Sequence, residues 1–217
     1  MSAERALRAR AGGFDFRAEI VQNEAIAADV YRMRLQIEDR SEARYPAPAP
    51  GQFVNVYLND ASRLLPRPIS VCDYAEKRLT LVFGAVGAGT RQMASYARGT
   101  GLRVSAPLGR GFDADAARDA PRATLVGGGL GAAPLLFLAD ALRGTGATQV
   151  RAVLGFGSEP LLLSEFSARC DTLHVATDDG SAGFHGTATK LLKELPLTGG
   201  ERLFACGPAP MLRALAR

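Results

Sequence analysis

The ten residues VGGGLGAAPL, from Val126 to Leu135, constrain this chain more than any other segment. They follow the apolar run Ala123 to Val126 and lead into LLFLADAL, which predicts a buried strand, a glycine turn and a helix in direct succession. In that setting Gly127 and Gly129 are expected to let the backbone turn sharply and come close to a ligand, and Ala132 to let the helix pack against the strand. The N–H groups at the helix start would then face a phosphate. The spacing is a G-x-G-x-x-A form of the dinucleotide fingerprint; alone, it is equally a spacing that a glycine-rich connection without a ligand can show.

At 217 residues and 47% hydrophobic content, the chain can bury one large core or two of roughly 100 residues each, and two is the expectation. The formal charge is only +4 and the basic residues, almost all Arg, are scattered, which argues against a nucleic-acid surface. No apolar run reaches the roughly 18 residues of a membrane span, and the N-terminus lacks the apolar centre of a secretory signal. Cys72, Cys170 and Cys206 are isolated and odd in number, forming neither a disulfide framework nor a C-x-x-C metal pair, which suits a reducing cytoplasm. His174 and His185 lack metal-site spacing, so structural roles are expected and no metal ligand is assigned.

The first half reads as six short strands, FRAEIVQ, DVYRMRLQI, QFVNVYL, PISVCD, LTLVFGAV and LRVSAPL, with turn signals between them. Six strands at this spacing with hardly a helix predict a small antiparallel barrel. In the second half ATLVGGG, TQVRAVLGFG, DTLHVAT and RLFACGP alternate with helical stretches such as LLFLADAL and TATKLLKEL, the pattern of a parallel sheet with helices on its faces. The expected organisation is a flexible tail over 1–13, a barrel domain over 14–117 and an α/β domain over 118–217, with the boundary in the polar segment Asp113 to Arg122.

Two barrel motifs carry further chemistry. In GAGT, Gly87 to Thr90, Gly89 allows close backbone approach, Thr90 is placed to cap the helix RQMASYA, and the helix start offers positive potential to a pyrophosphate. An ordinary crossover turn fits the same residues. In RPIS, Arg67 suits bidentate phosphate contacts and the Ser70 hydroxyl can bond a flavin ring edge, although Arg-Pro at a strand start is commonly structural.

Taken in order, PGQF, RPIS, GAGT, PLGRGF, VGGGLGAAPL, TDDGSAGFHG and ACGPAPML resemble the ferredoxin-reductase superfamily, most closely its dihydroorotate dehydrogenase B electron transfer subunits. The resemblance spans the chain from about Phe14 and implies an N-terminal flavin barrel, a C-terminal NAD-binding domain and FAD in the cleft between them. It implies that Arg67, Pro68, Ile69 and Ser70 contact FAD, that Val82, Phe83 and Gly84 line the flavin, and that Gly89 and Thr90 hold its pyrophosphate. Gly127, Gly128, Gly129 and Gly131 would hold the nicotinamide dinucleotide, with Asp178, Asp179 and Gly180 near its adenosine half and Cys206, Gly207 and Pro208 beside the rings. Ser70 and Cys206 are the residues expected to touch the reacting rings; a small buried apolar role is the plainer reading of Cys206.

The implied chemistry is hydride transfer from NADH to FAD, which needs near-contact geometry rather than an acid–base pair. In the resembling complexes electrons leave through a [2Fe-2S] cluster to a partner catalytic subunit that carries FMN and oxidises dihydroorotate. Two departures stand out. Gly84 occupies a position where the family commonly has a larger residue, often Arg. The family's four-cysteine cluster segment lies beyond the ACGP helix, whereas this chain stops at Arg217, so either the sequence is cut short there or the variant works without the cluster.

Other readings are a different NAD(P)H-dependent flavin or ferredoxin-type reductase subunit, a free flavin reductase, or a non-catalytic FAD/NAD-binding module. A yellow preparation that bleaches with NADH separates enzyme from module. NADH is expected over NADPH, because GFGSEPLLLSEF after the second strand of the nucleotide half carries Glu159 and Glu165 and no basic residue until Arg169.

Overall fold

Period-two alternation in the first half folds into a closed wall. The computed structural model describes residues 15–38, 44–60, 62–146 and 149–216, so the expected tail over 1–13 lies outside the described residues. Strands β1 (Asp15–Ala27), β2 (Val30–Ile37), β3 (Phe53–Tyr57), β4 (Arg67–Ala75), β5 (Arg78–Gly84) and β6 (Gly101–Ser105) form an antiparallel barrel in the order β1-β2-β5-β4-β3-β6. On β2, Met33, Leu35 and Ile37 point into the barrel while Arg32, Arg34 and Gln36 alternate with them on the outer wall. Closure through β1–β6 and β3–β6 pairing removes the unpaired edges that an open sheet would expose. Helix α1 (Ala88–Ala94), between β5 and β6, adds Met93 to the same core.

In the second half every strand pair is parallel. Strands β7 (Ala123–Gly128), β8 (Val150–Phe156), β9 (Thr172–Thr177), β10 (Phe184–His185) and β11 (Arg202–Cys206) take the order β10-β9-β8-β7-β11. All six residues of β7 are buried because both faces are covered. Leu125 faces helix α2 (Ala132–Arg143), while Val126 faces helix α4 (Ala188–Glu194) across the sheet. Helices α3 (Leu163–Arg169) and α5 (Ala209–Leu215) complete the described α-helices, and short 3-10 turns lie at Ala114–Ala117 and Gly129–Gly131.

Two elements were not among those read from the sequence. Helix α3 follows Leu162 in the left-handed conformation (φ 59°), and the leucine run at 161–163 carries no helical period to announce it. Strand β10 is a two-residue piece of the TDDGSAGFHG segment, paired in parallel with Ala176 and Thr177 and with Phe184 packed against the cluster around Ala188.

The halves meet along β4 and α2, where Cys72 and Val82 from the barrel wall join Leu136 in one buried cluster. Ion pairs frame that seam: Arg32 bonds Glu24 and Glu165, and Arg169 bonds Asp73 at 2.7 Å and Asp140 at 3.2 Å.

Candidate functional site

A cleft between the halves is assembled from glycine turns that lie far apart in sequence. Its barrel side begins at Arg67, the first residue of β4, whose Nη1 donates to Leu65 O at 2.8 Å. That bond folds the guanidinium back over α1, so closely that a Cβ on Gly89 would stand 2.0 Å from Arg67 Nε. RPIS and GAGT thus form one basic surface. Thr90 contributes differently from expectation. The N-cap is Gly87, in extended backbone, and Thr90 stands third in the helix with its Oγ1 accepting from Gly87 N at 3.1 Å. This is the reach-back half of a capping box: Gly87 has no side chain, so the cap's N–H is satisfied from inside the helix.

Along β4, Pro68 and Ser70 are exposed while Ile69 packs toward the barrel core. Val82 and Phe83 are buried, Val82 on the α2 side and Phe83 inside the barrel stacked on Tyr31, so only their backbone can face a ligand. Gly84 ends the strand against the nucleotide turn: a Cβ there would meet Leu130 Cδ1 at 3.3 Å. Leu130, 41% exposed, therefore lies at the position toward which a larger residue at Gly84 would project.

The fingerprint glycines divide their work in a way spacing did not show. Gly129 takes a left-handed φ of 55°, which favours glycine at the turn. Gly127 has no such need; its missing side chain lets α2 approach, since a Cβ would meet Leu154 Cδ2 at 2.8 Å and Ala132 Cα at 3.2 Å. Gly128 lies against Pro208 and Met211. Gly131 abuts Cys206 and Gly207, where a Cβ would stand 2.3 Å from Cys206 O. In β7–β11 pairing Gly127 is opposite Cys206, so the two motifs form a single floor.

That floor opens into a groove of about 350 Å³ lined by Gly128, Gly129, Phe156, Asp178, Pro208 and Met211. The size suits a small-molecule site. Asp178 reaches the groove, whereas the Asp179 carboxylate bonds Ser181 N and Oγ within its own loop. Gly180, at φ 74°, turns that loop beside His185. The α4 start also closes the groove, through Thr187 and Ala188, and Met211 walls it; sequence reading named none of these three. Their only signal was Gly186-Thr187 ahead of a helical pattern, where Thr187 Oγ1 accepts from Lys190 N at 3.3 Å.

The two carboxylates on which the NADH preference was based are engaged elsewhere. Glu159 accepts from Ala28 N at 2.9 Å and Glu165 pairs with Arg32, both on barrel partners. Helix α3 turns Glu165 toward the seam, which its absence from the sequence reading concealed. Among the described residues Asp178 is the acid lining the groove, and no Lys or Arg lines it.

Cys206 ends β11 half-buried, and burial pushes its thiol above the ordinary range, so it stays a neutral thiol at neutral pH. This suits positioning rather than nucleophilic attack. Cys72 and Cys170 are buried, the burial of Cys72 beside Asp73 pushing its thiol up to about 12. Among the described residues no group of three His, Cys, Asp or Glu could hold a metal ion. No helix among them is long and apolar enough to cross a membrane.

No family model matches the chain. It is 40% identical over 205 residues to a Bacillus caldolyticus protein named dihydroorotate dehydrogenase B (NAD(+)), electron transfer subunit, covering 92% of this chain and 77% of that one. It is 37% identical over 204 residues to the Fusobacterium nucleatum protein of the same name, covering 90% and 76%. Among solved structures, an NADH-dependent reduced ferredoxin-NADP oxidoreductase superposes with a TM-score of 0.74 at 30% identity, over 90% of this chain and 69% of that one. Phthalate dioxygenase reductase superposes with a TM-score of 0.71 at 21% identity, over 95% and 64%, and shares the fold.

Proposed function

Because this chain belongs to the family of dihydroorotate dehydrogenase B electron transfer subunits, we propose that it passes electrons from NADH through FAD to a partner catalytic subunit that holds FMN. The observation that carries this reading is the contact of Gly84 with Leu130: it brings the barrel strand β5 and the nucleotide turn onto the same cleft. Two cofactor surfaces that must exchange a hydride need such an approach.

The residues present fit both cofactors. Arg67 over Gly89 supplies a charge-assisted contact for the FAD pyrophosphate, and Ser70, exposed on the same strand, can bond the ring edge. Pro68 and Ile69 hold Arg67 and Ser70 in register, while the backbone of Val82, Phe83 and Gly84 forms the adjoining wall. Gly127 to Gly131 let the dinucleotide lie against bare backbone, Asp178 accepts from ribose hydroxyls, and Gly180 shapes the Asp178–Asp179 turn beside it. Cys206, Gly207 and Pro208 form the wall next to the rings. With both bound, NADH would supply the hydride and FAD would accept it. The described residues do not fit a [2Fe-2S] cluster, since their three cysteines sit apart with no converging ligands.

Every one of these motifs faces a cofactor, and none leaves a general base for an organic substrate. The FAD-loaded chain should therefore bleach on anaerobic NADH addition and reduce dyes, yet form no orotate until an FMN-bearing catalytic subunit is added. Robust orotate formation by the chain alone would mean that it is a complete dehydrogenase.

Arg67→Ala should remove a contact worth about 1.5–3 kcal/mol and weaken FAD binding about tenfold to a hundredfold. Thr90→Ala should cost less, because it removes one acceptor for Gly87 N and leaves Arg67 in place. Fluorescence titration of the apoprotein measures both. Unchanged affinity in the Arg67 variant would place the flavin elsewhere.

A further inference from the structure

Helix α1 is the crossover between β5 and β6, and its two ends are held in different ways. A helix of seven residues is only about 10 Å long and is not stable in water by itself, so its position depends on what grips it. Met93 anchors it in the barrel core. At the N-terminal end Arg67 lies over Gly89, and Arg91 returns to Ala85 O and Val86 O just ahead of the helix.

At the C-terminal end the grip comes from β1. Asn23 Nδ2 donates to Met93 O at 3.0 Å, to Ala94 O at 3.2 Å and to Tyr96 O at 2.9 Å. The last carbonyls of a helix have no partner within it. Ser95 N serves Arg91 O and Gln92 O and Tyr96 N serves Met93 O, while Asn23 reaches on to Ala94 O and Tyr96 O. Asn23 Oδ1 is buried with no partner among the described residues. The reverse orientation would aim that oxygen at three carbonyl oxygens, so the helix end dictates how the amide lies. An orphaned acceptor is a cost that an apolar residue would avoid, which marks the N–H groups as the reason for an amide here.

We infer that Asn23 is a positioning residue for FAD: it fixes the C-terminal end of α1 and so keeps Gly89 and Thr90, about one turn away, against Arg67. The inference rests on the placement of the FAD pyrophosphate at Arg67 and Gly89. Without the clamp the helix can pivot about Met93, which carries Gly89 away from the guanidinium.

A double-mutant cycle of Asn23→Ala and Arg67→Ala, read by fluorescence titration of the apoprotein with FAD, tests it. Asn23→Ala should weaken FAD binding about tenfold in the parent and less than about threefold in Arg67→Ala, where the surface it serves is already lost. Asn23→Asp fills nearly the same volume but turns a carboxylate toward three carbonyls, so it should weaken binding at least as much as alanine. Affinity in Asn23→Asp within about twofold of the parent would overturn the inference, because volume and not donation would then matter. If Arg67→Ala alone leaves affinity unchanged, the FAD placement fails and this role falls with it. If Arg67→Ala weakens binding and the two losses simply multiply, the placement stands and the role of Asn23 is overturned. Hydrogen exchange in both Asn23 variants separates a loose helix from a loose fold. Faster exchange confined to α1 is expected; unchanged exchange in α1, or faster exchange throughout the barrel, counts against the inference.

Discussion

Gly131→Ala is expected to slow NADH-driven reduction of bound FAD about a hundredfold while FAD itself stays bound. The new Cβ would stand 2.3 Å from Cys206 O, 2.6 Å from Cys206 C and 2.8 Å from Gly207 Cα. All three are backbone atoms, which cannot swing aside as a side-chain end can. Gly131 has an ordinary helical φ of −64°, so alanine meets no conformational strain and the clash is the whole effect. Ordinary carbon contacts sit near 3.5 Å, so the nucleotide turn and the β11 end must part by about 1 Å. These segments floor the groove proposed to take the dinucleotide beside Cys206, and a displacement of that size is enough to lose about two orders of magnitude in rate. Stopped-flow absorbance under anaerobic conditions measures it, with FAD titration as the control. A rate within about threefold of the parent would show that the Gly131–Cys206 contact does not set the hydride geometry.

The second large effect lies at the far end of the sheet and concerns stability. Arg151 and Glu201 pair there with side chains only 4% and 3% exposed. Arg151 also donates to Thr124 Oγ1 at 3.1 Å and to Pro196 O at 3.1 Å, while Thr198 N donates to Glu201 at 3.1 Å. Replacing the pair by apolar residues need not be costly, but Glu201→Ala leaves the buried guanidinium without its counter-charge, a loss of about 3–5 kcal/mol. Urea unfolding should show it as a fall in midpoint with little change in slope.

The same pair has a defined pH signature. Burial pushes the Glu201 carboxyl up, but hydrogen bonds from Thr124 and Thr198 N and the Arg151 charge outweigh it and hold the group below the ordinary glutamate range. Its contribution is therefore fully present above the unfolded-state value of about 4.3 and is lost as pH falls through the lower folded value. The wild-type protein should lose stability on acidification below about pH 4 more steeply than Glu201→Gln does. A destabilisation under about 1 kcal/mol in Glu201→Ala would mean that the pair is solvated.

Local pattern made most of the architecture legible. Alternation such as Met33, Leu35 and Ile37 against Arg32, Arg34 and Gln36 specifies a strand with one wet face wherever it sits. The unbroken apolar run into Gly127 specifies a strand covered on both sides, and with it a parallel sheet. The glycine spacing and GAGT read as places of close backbone approach, and the structure packs Arg67 of RPIS over Gly89 and Cys206 against Gly131.

Where a side chain goes after its segment has formed was not legible. Glu159 and Glu165 read as the carboxylates that favour NADH, yet Glu159, in the loop before α3, bonds the β1–β2 turn and Glu165, on α3, bonds Arg32. Thr90 read as a cap and became the third helical residue, because Gly87 offers no side chain to cap with. Met211 carried no signal as a groove residue and Thr187 only that of a helix start, since only strand pairing in the parallel sheet brings their helices beside Gly128 and Gly155. Sequence alone determined the barrel strands, the main strands of the parallel sheet and the glycine turns, because hydrophobic period and glycine placement act within a few residues. The tertiary structure alone decided that Arg67 covers Gly89, that Gly84 meets Leu130 and that Gly131 abuts Cys206, because each is a contact between segments whose separation only packing closes.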